Sequence, residues 1–204
     1  MPRRQLPDLA TVQREWQLLE AVPHAALVPF IRKWGREQRS WITVALALCI
    51  AAAVAALLFS IATSPTTPLL AGIQIISAPL LLMVILPLHE GLHHAAYRLA
   101  GARQVRWTVA WRRGIAYVAA HHFVVTPRAL TLVALAPFLV ITMALIATAG
   151  SWPDVAVLAT AVLVLHTAAC VGDLAMLNFL WHHRDREVVT FDDAEENVTY
   201  FYTR

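Results

Sequence analysis

The sequence predicts an all-α membrane protein: about four transmembrane helices, a short cytoplasmic-side β-hairpin, and N-terminal helices lying in the membrane interface. Three observations predict this. Of 204 residues, 59% are hydrophobic and only 14% are charged, whereas soluble domains hold roughly half apolar and a quarter charged residues. The apolar excess is gathered into blocks that reach the roughly 20 residues needed to cross a bilayer at about 1.5 Å per residue. Basic residues flank alternate ends of those blocks, the pattern that the positive-inside rule describes.

Residues 1–40 are polar and charged. No apolar core with a small-residue cleavage site occurs there, so the first span is expected to act as an uncleaved anchor. "LATVQREWQLLEAV" and "HAALVPFIRKWG" have helical spacing and mixed polarity. They read as amphipathic helices on the inner membrane surface. The spans follow near Trp41 to Thr63, Pro68 to Leu99, Ala129 to Ala149 and Val155 to Trp181. Residues 41–181 are thus expected to form a four-span domain, and 182–204 a cytoplasmic tail. Between the second and third spans, "QVRWTVAWRRGIAYVAAHHFVV" alternates in polarity and is broken by "RRG". This predicts a β-hairpin over about 104–125, in the interface where Trp and Arg are at home.

Orientation follows from the basic residues. Arg3, Arg4, Arg14, Arg32, Lys33, Arg36 and Arg39 precede the first span. Arg98, Arg103, Arg106, Arg112, Arg113 and Arg128 lie between the second and third; Arg184, Arg186 and Arg204 follow the last. The loops "SPTTP" and "GSWPD" have none. Both termini and the 98–128 segment are therefore expected on the cytoplasmic side. The net charge of +3 is modest, and a membrane rather than a nucleic acid is the expected partner. Cys49 and Cys170 both lie in apolar runs; they cannot build a disulfide framework or a cysteine-rich zinc site, and read as small core hydrophobes.

The chemistry concentrates in "HEGLHH" at 89–94. His89 and His93 are four residues apart, which on a helix places both imidazoles on one face, one turn apart. Such a pair can ligate one zinc ion, with Glu90 beside it as general base. Ionisable groups near a membrane segment are costly unless paired or ligating, and mark functional sites. A third protein ligand is needed. Asp173 is the favoured candidate: it lies eight residues before Trp181, about 12 Å below the inner surface, while His89 and His93 lie about 13 Å and 8 Å deep by their distance from Arg98. Antiparallel second and fourth spans would bring the three to a common level. His121 or His122 is the alternative third ligand. His166 shares the face of Asp173 and is read as structural, lining the cavity or bonding to the site. His94 reads as structural or interfacial, and His182 and His183 as a solvated helix end. Pro137 interrupts the third span, opening space beside the metal or simply kinking the helix.

"HEGLHH" ending one span, a short β-prone segment, "ALAPF" in the next and "GD" in "CVGDLAMLNF" in the last resemble the zincin peptidases. These are small multi-span bacterial membrane proteins, similar in plan to the site-2 intramembrane metalloproteases. The resemblance covers about residues 68–181. It implies a bacterial cytoplasmic membrane and a zinc ion held by His89, His93 and Asp173, with Glu90 as base. It also implies hydrolysis of membrane-protein or peptide substrates; the alternative is a zinc-binding membrane scaffold or regulator that cuts nothing. One departure stands out. Site-2 proteases usually carry asparagine and proline around the aspartate and a glycine after it. Here Gly172 precedes Asp173 and Leu174 follows, so no oxyanion partner is assigned.

Overall fold

All four expected spans are helical in the computed structural model, which describes residues 8–110 and 115–204. Ser40 and Thr43 form a capping box that starts α3, Trp41–Thr63. Thr67 caps α4, Pro68–Ala100, which ends at Gly101 with φ 105°, a left-handed turn suited to glycine. Thr126 caps α5, Pro127–Ser151. The fourth span is broken: α6 runs Ala156–Ala169 and α7 runs Val171–His182, with Cys170 between them. All four are long and apolar enough to cross a bilayer. The first three turn large apolar side chains outward, among them Phe59, Leu80 and Met143, as a lipid-facing surface requires. The fourth is innermost, with 56% of its most apolar stretch buried against 17% for each of the first two.

The spans alternate in direction. The start of α3, the end of α4, the start of α5 and the end of α7 therefore share one face of the bundle, where the remaining chain gathers. Before the first span lie α1 (Leu9–Glu15), β1 (Gln17–Pro23), a tight turn at His24–Ala26, α2 (Leu27–Arg32) and a wide turn at Lys33–Glu37. The predicted hairpin is present as β2 (Val105–Ala110) and β3 (Ile115–Ala120), antiparallel. Its "RRG" turn lies outside the described residues.

Two stretches differ from expectation. The helix expected over "LATVQREWQLLEAV" ends at Glu15, and Gln17–Pro23 is a strand. The tail also forms strands, β4 (Val188–Asp193) and β5 (Val198–Thr203). Together they make one antiparallel sheet, ordered β1-β5-β4. The reason is tertiary: β5 reads "VTYFYT", rich in β-branched and aromatic residues, and offers β1 an edge that outweighs its helical propensity. The alternation in "VVTFDD" and "VTYFYT", with Asn197 at φ 57° just before β5, is a hairpin signal that was readable in the sequence.

This sheet is fastened to the bundle. Phe30, Trp34, Phe179, Val188 and Phe201 form a shared core, with Phe179 and Phe201 rings 4.3 Å apart. Gly35 lets the wide turn lie against α7, since a Cβ there would stand 2.9 Å from Val171. His182 and His183 stand at the end of α7, the first exposed and the second half-buried; they bond the carbonyls of Asn178 and Phe179 and stand edge-on to Trp34. The fully buried Asn178 donates to the carbonyls of Trp34 and Gln38 at 2.5 and 2.6 Å. The sheet meets the hairpin through Val125, which exchanges two backbone bonds with Thr190, and through Asp192. The Asp192 carboxylate accepts from the Thr199 hydroxyl at 2.7 Å and the Ala120 N–H at 3.2 Å.

Two predictions follow from this cap. Asn178→Ala leaves the buried Trp34 carbonyl and the part-buried Gln38 carbonyl without their donor, a loss of about 1–3 kcal/mol. Limited proteolysis in detergent should then cut residues 17–40 faster while the four spans stay intact. Asp192 gives a pH dependence. Burial raises its pKa from 3.8 to about 6, against the lowering effect of its two hydrogen bonds. A carboxyl with a raised folded pKa binds its proton more tightly when folded. It therefore costs stability above about pH 6, and that cost vanishes as pH falls towards 4. The full cost is about 3 kcal/mol by proton linkage. The melting temperature of Asp192→Asn relative to the parent should rise between pH 4 and 7; a constant difference would contradict the assignment.

Candidate metal and catalytic site

α4 carries His89, Glu90 and His93 about two to three turns before its end at Ala100, all less than 10% exposed. α7 brings Asp173 to them from the first turn after the break at Cys170. His89 Nε2 lies 3.4 Å from Asp173 Oδ2, and His93 Nε2 lies 3.2 Å from Asp173 Oδ1. The two imidazole Nε2 atoms are 3.1 Å apart. Antiparallel packing thus brings together the three residues that depth alone placed at one level.

The opposite ring nitrogens are also engaged. His93 Nδ1 lies 2.9 Å from the carbonyl oxygen of Val133 on α5. A carbonyl can only accept, so Nδ1 carries the proton and neutral His93 presents a lone pair at Nε2. His89 Nδ1 lies 3.4 Å from His166 Nε2 on α6. His166 is therefore the neighbour that bonds to the site. Its Nε2 also lies 3.8 Å from the buried Cys170 Sγ. Cys49, expected in the core, is exposed.

These residues fit a zinc ion. Ligands about 2.0–2.1 Å from zinc in a tetrahedron lie about 3.3 Å from one another; the three separations here are 3.1, 3.2 and 3.4 Å. With its proton at Nδ1, His93 sets an Nε2 acceptor 3.2 Å from the Asp173 carboxylate, an arrangement that needs a proton or a metal cation between them. Glu90 Oε2 is buried with no hydrogen-bond partner among the described residues, so one carboxylate oxygen beside the cluster remains available.

The other histidines lie elsewhere. His94 accepts the Trp107 indole N–H at 3.1 Å and fixes the hairpin to α4. His121 and His122, the alternative third ligands, sit with Asp193 and Glu195 on the sheet instead. His121 Nδ1 accepts the N–H of Ala194, so neutral His121 carries its proton at Nε2 and has no lone pair there for a metal.

Glu90, His93 and Asp173 line one end of a cavity of about 150 Å3. Tyr97, Val118 and Ala119 line its walls, and His24, Tyr117, Asp192 and Thr199 its far end. His24 Nδ1 lies 2.7 Å from the Tyr117 hydroxyl and Nε2 lies 3.2 Å from the Thr199 hydroxyl. Burial holds the His24 pKa below its usual value. Sequence reasoning missed this far wall. His24, Tyr117 and Asp192 come from three distant segments, and no spacing rule joins them.

No curated protein and no solved structure matches the chain. The model of one family, described as "Putative zincin peptidase", matches residues 82–188. That stretch is more than half of the chain. It contains the His89–His93 helix end, Pro137 in α5, and Asp173. The chain belongs to this zincin peptidase family, and a zinc peptidase role is what that membership supports.

Proposed function

We propose that this protein is an intramembrane zinc endopeptidase, similar in plan to the site-2 proteases, that hydrolyses peptide bonds of membrane-associated protein substrates. The observation that carries the reading is the buried convergence of His89, His93 and Asp173, with the free Glu90 oxygen beside them. His89, His93 and Asp173 would hold the metal. Zinc, when bound, supplies Lewis acidity for the scissile carbonyl and lowers the pKa of water towards neutrality.

Glu90 takes a proton from the attacking water at Oε2. The water oxygen bonds the carbonyl carbon, the C–N bond breaks, and Glu90 delivers the proton to the leaving amine. Val118 and Ala119 of β3 face the same cavity, so an extended substrate segment laid beside β3 would gain main-chain hydrogen bonds and pass His93 and Glu90. A zinc-holding scaffold that cuts nothing needs the ligands but has no task for Glu90, whose burial is costly.

The family resemblance favours a bacterial cytoplasmic membrane, and the distribution of Lys and Arg favours both termini, the hairpin and the sheet on its cytoplasmic side. The site then opens towards the cytoplasm.

Three outcomes are expected. Protein purified in detergent retains about one zinc per chain, and Asp173→Ala or His89→Ala loses it. Glu90→Gln keeps the zinc but slows cleavage of a membrane-anchored test substrate by about 100-fold or more; cleavage at the parent rate would refute the mechanism. Reporter fusions at both ends of the chain should be active only as cytoplasmic enzymes.

A further inference from the structure

In an unbroken α-helix the N–H of residue i bonds the carbonyl of residue i−4. The carbonyl of Val133 would therefore be taken by residue 137. Residue 137 is proline, inside α5, and proline has no N–H. Val133 O thus lacks its helical donor. It does not face lipid: Val133 is 3% exposed, and Pro137 is fully buried. The donor it does have is His93 Nδ1, at 2.9 Å.

We propose that Pro137 is a positioning residue. By leaving the Val133 carbonyl free, it supplies the acceptor that fixes the tautomer and ring angle of His93, turning Nε2 towards His89 and Asp173. The inference rests on the zinc reading above and explains how a histidine ligand is oriented inside an apolar bundle. In water, solvent or a nearby carboxylate holds the outer nitrogen of a ligating histidine. Within a span, nearly every carbonyl is already bonded along its own helix. A proline in the neighbouring helix supplies an acceptor without burying another polar side chain. His89 is oriented differently, by His166 at 3.4 Å.

Pro79 provides the control. It also lies inside a span, in α4, but it frees the carbonyl of Ile75, and it stands ten residues from His89, about 15 Å along the helix. The test compares wild type, Pro137→Ala and Pro79→Ala in detergent. Zinc affinity is read by chelator competition, and the His93 tautomer of zinc-free protein by 15N NMR of its ring nitrogens. Pro137→Ala gains an N–H that competes for Val133 O. Its zinc affinity should fall about 10- to 100-fold, the usual effect of losing an outer-shell partner, and His93 should shift from the Nδ1–H form to a mixture. Pro79→Ala should match wild type in both measurements. Unchanged affinity and tautomer in Pro137→Ala would overturn the proposal while the zinc reading stands. If Pro137→Ala does not fold, the wild-type spectrum decides: an Nδ1–H tautomer at His93 supports the proposal, and an Nε2–H tautomer ends it. Wild type without zinc affinity would refute the zinc reading, leaving the same spectra to judge Pro137.

Discussion

The structure turns on the meeting of two imidazoles and a carboxylate about 3 Å apart, inside a bundle made largely of aliphatic side chains. Such groups repel one another and are costly to desolvate. A chain that gathers them must hold them by force of packing and must have something to put between them. The packing is visible: α4, α5, α6 and α7 each contribute a group that touches the cluster, and α6 lies at the centre. Zinc, in the proposed reading, is what relieves the electrostatic cost.

Irregularity in the helices makes this arrangement possible. A regular span satisfies its own backbone and offers nothing to a neighbour. Here the regularity fails beside the cluster at Cys170 and at Pro137, and α4 carries two further prolines, Pro79 and Pro87. Cys170 interrupts the fourth span three residues before Asp173, so the aspartate lies in the first turn of a new helix. Pro137 interrupts the bonding of α5 opposite His93. In each case a small local defect in one element becomes a contact made by another.

The cap gives the cluster its surroundings. The three-stranded sheet joins residues before the first span to residues after the last, and with β3 it covers one end of the bundle. Its inner wall is polar, with His24, Tyr117, Thr199 and Asp192 linked by hydrogen bonds. A wholly apolar lid would exclude water but could not accommodate a peptide backbone. Here the polar atoms of the wall are paired with one another.

The sequence by itself determined the spans, their alternation, the hairpin and the histidine–glutamate cluster on the second span. These follow from length, hydropathy and helical spacing, which are local quantities. Even Asp173 was legible, because depth in a membrane is a one-dimensional coordinate that counting residues can estimate. The tertiary structure alone decided the rest. It turned Gln17–Pro23 from a helix to a strand, since only β5 could supply the partner. It sent His121 and His122 to the sheet and His166 to His89. It joined His24, Tyr117 and Asp192 into one wall. It also paired the Val133 carbonyl with His93, a contact between a backbone atom and a side chain on another helix. None of these leaves a periodic trace, because each depends on which elements become neighbours once the spans have packed.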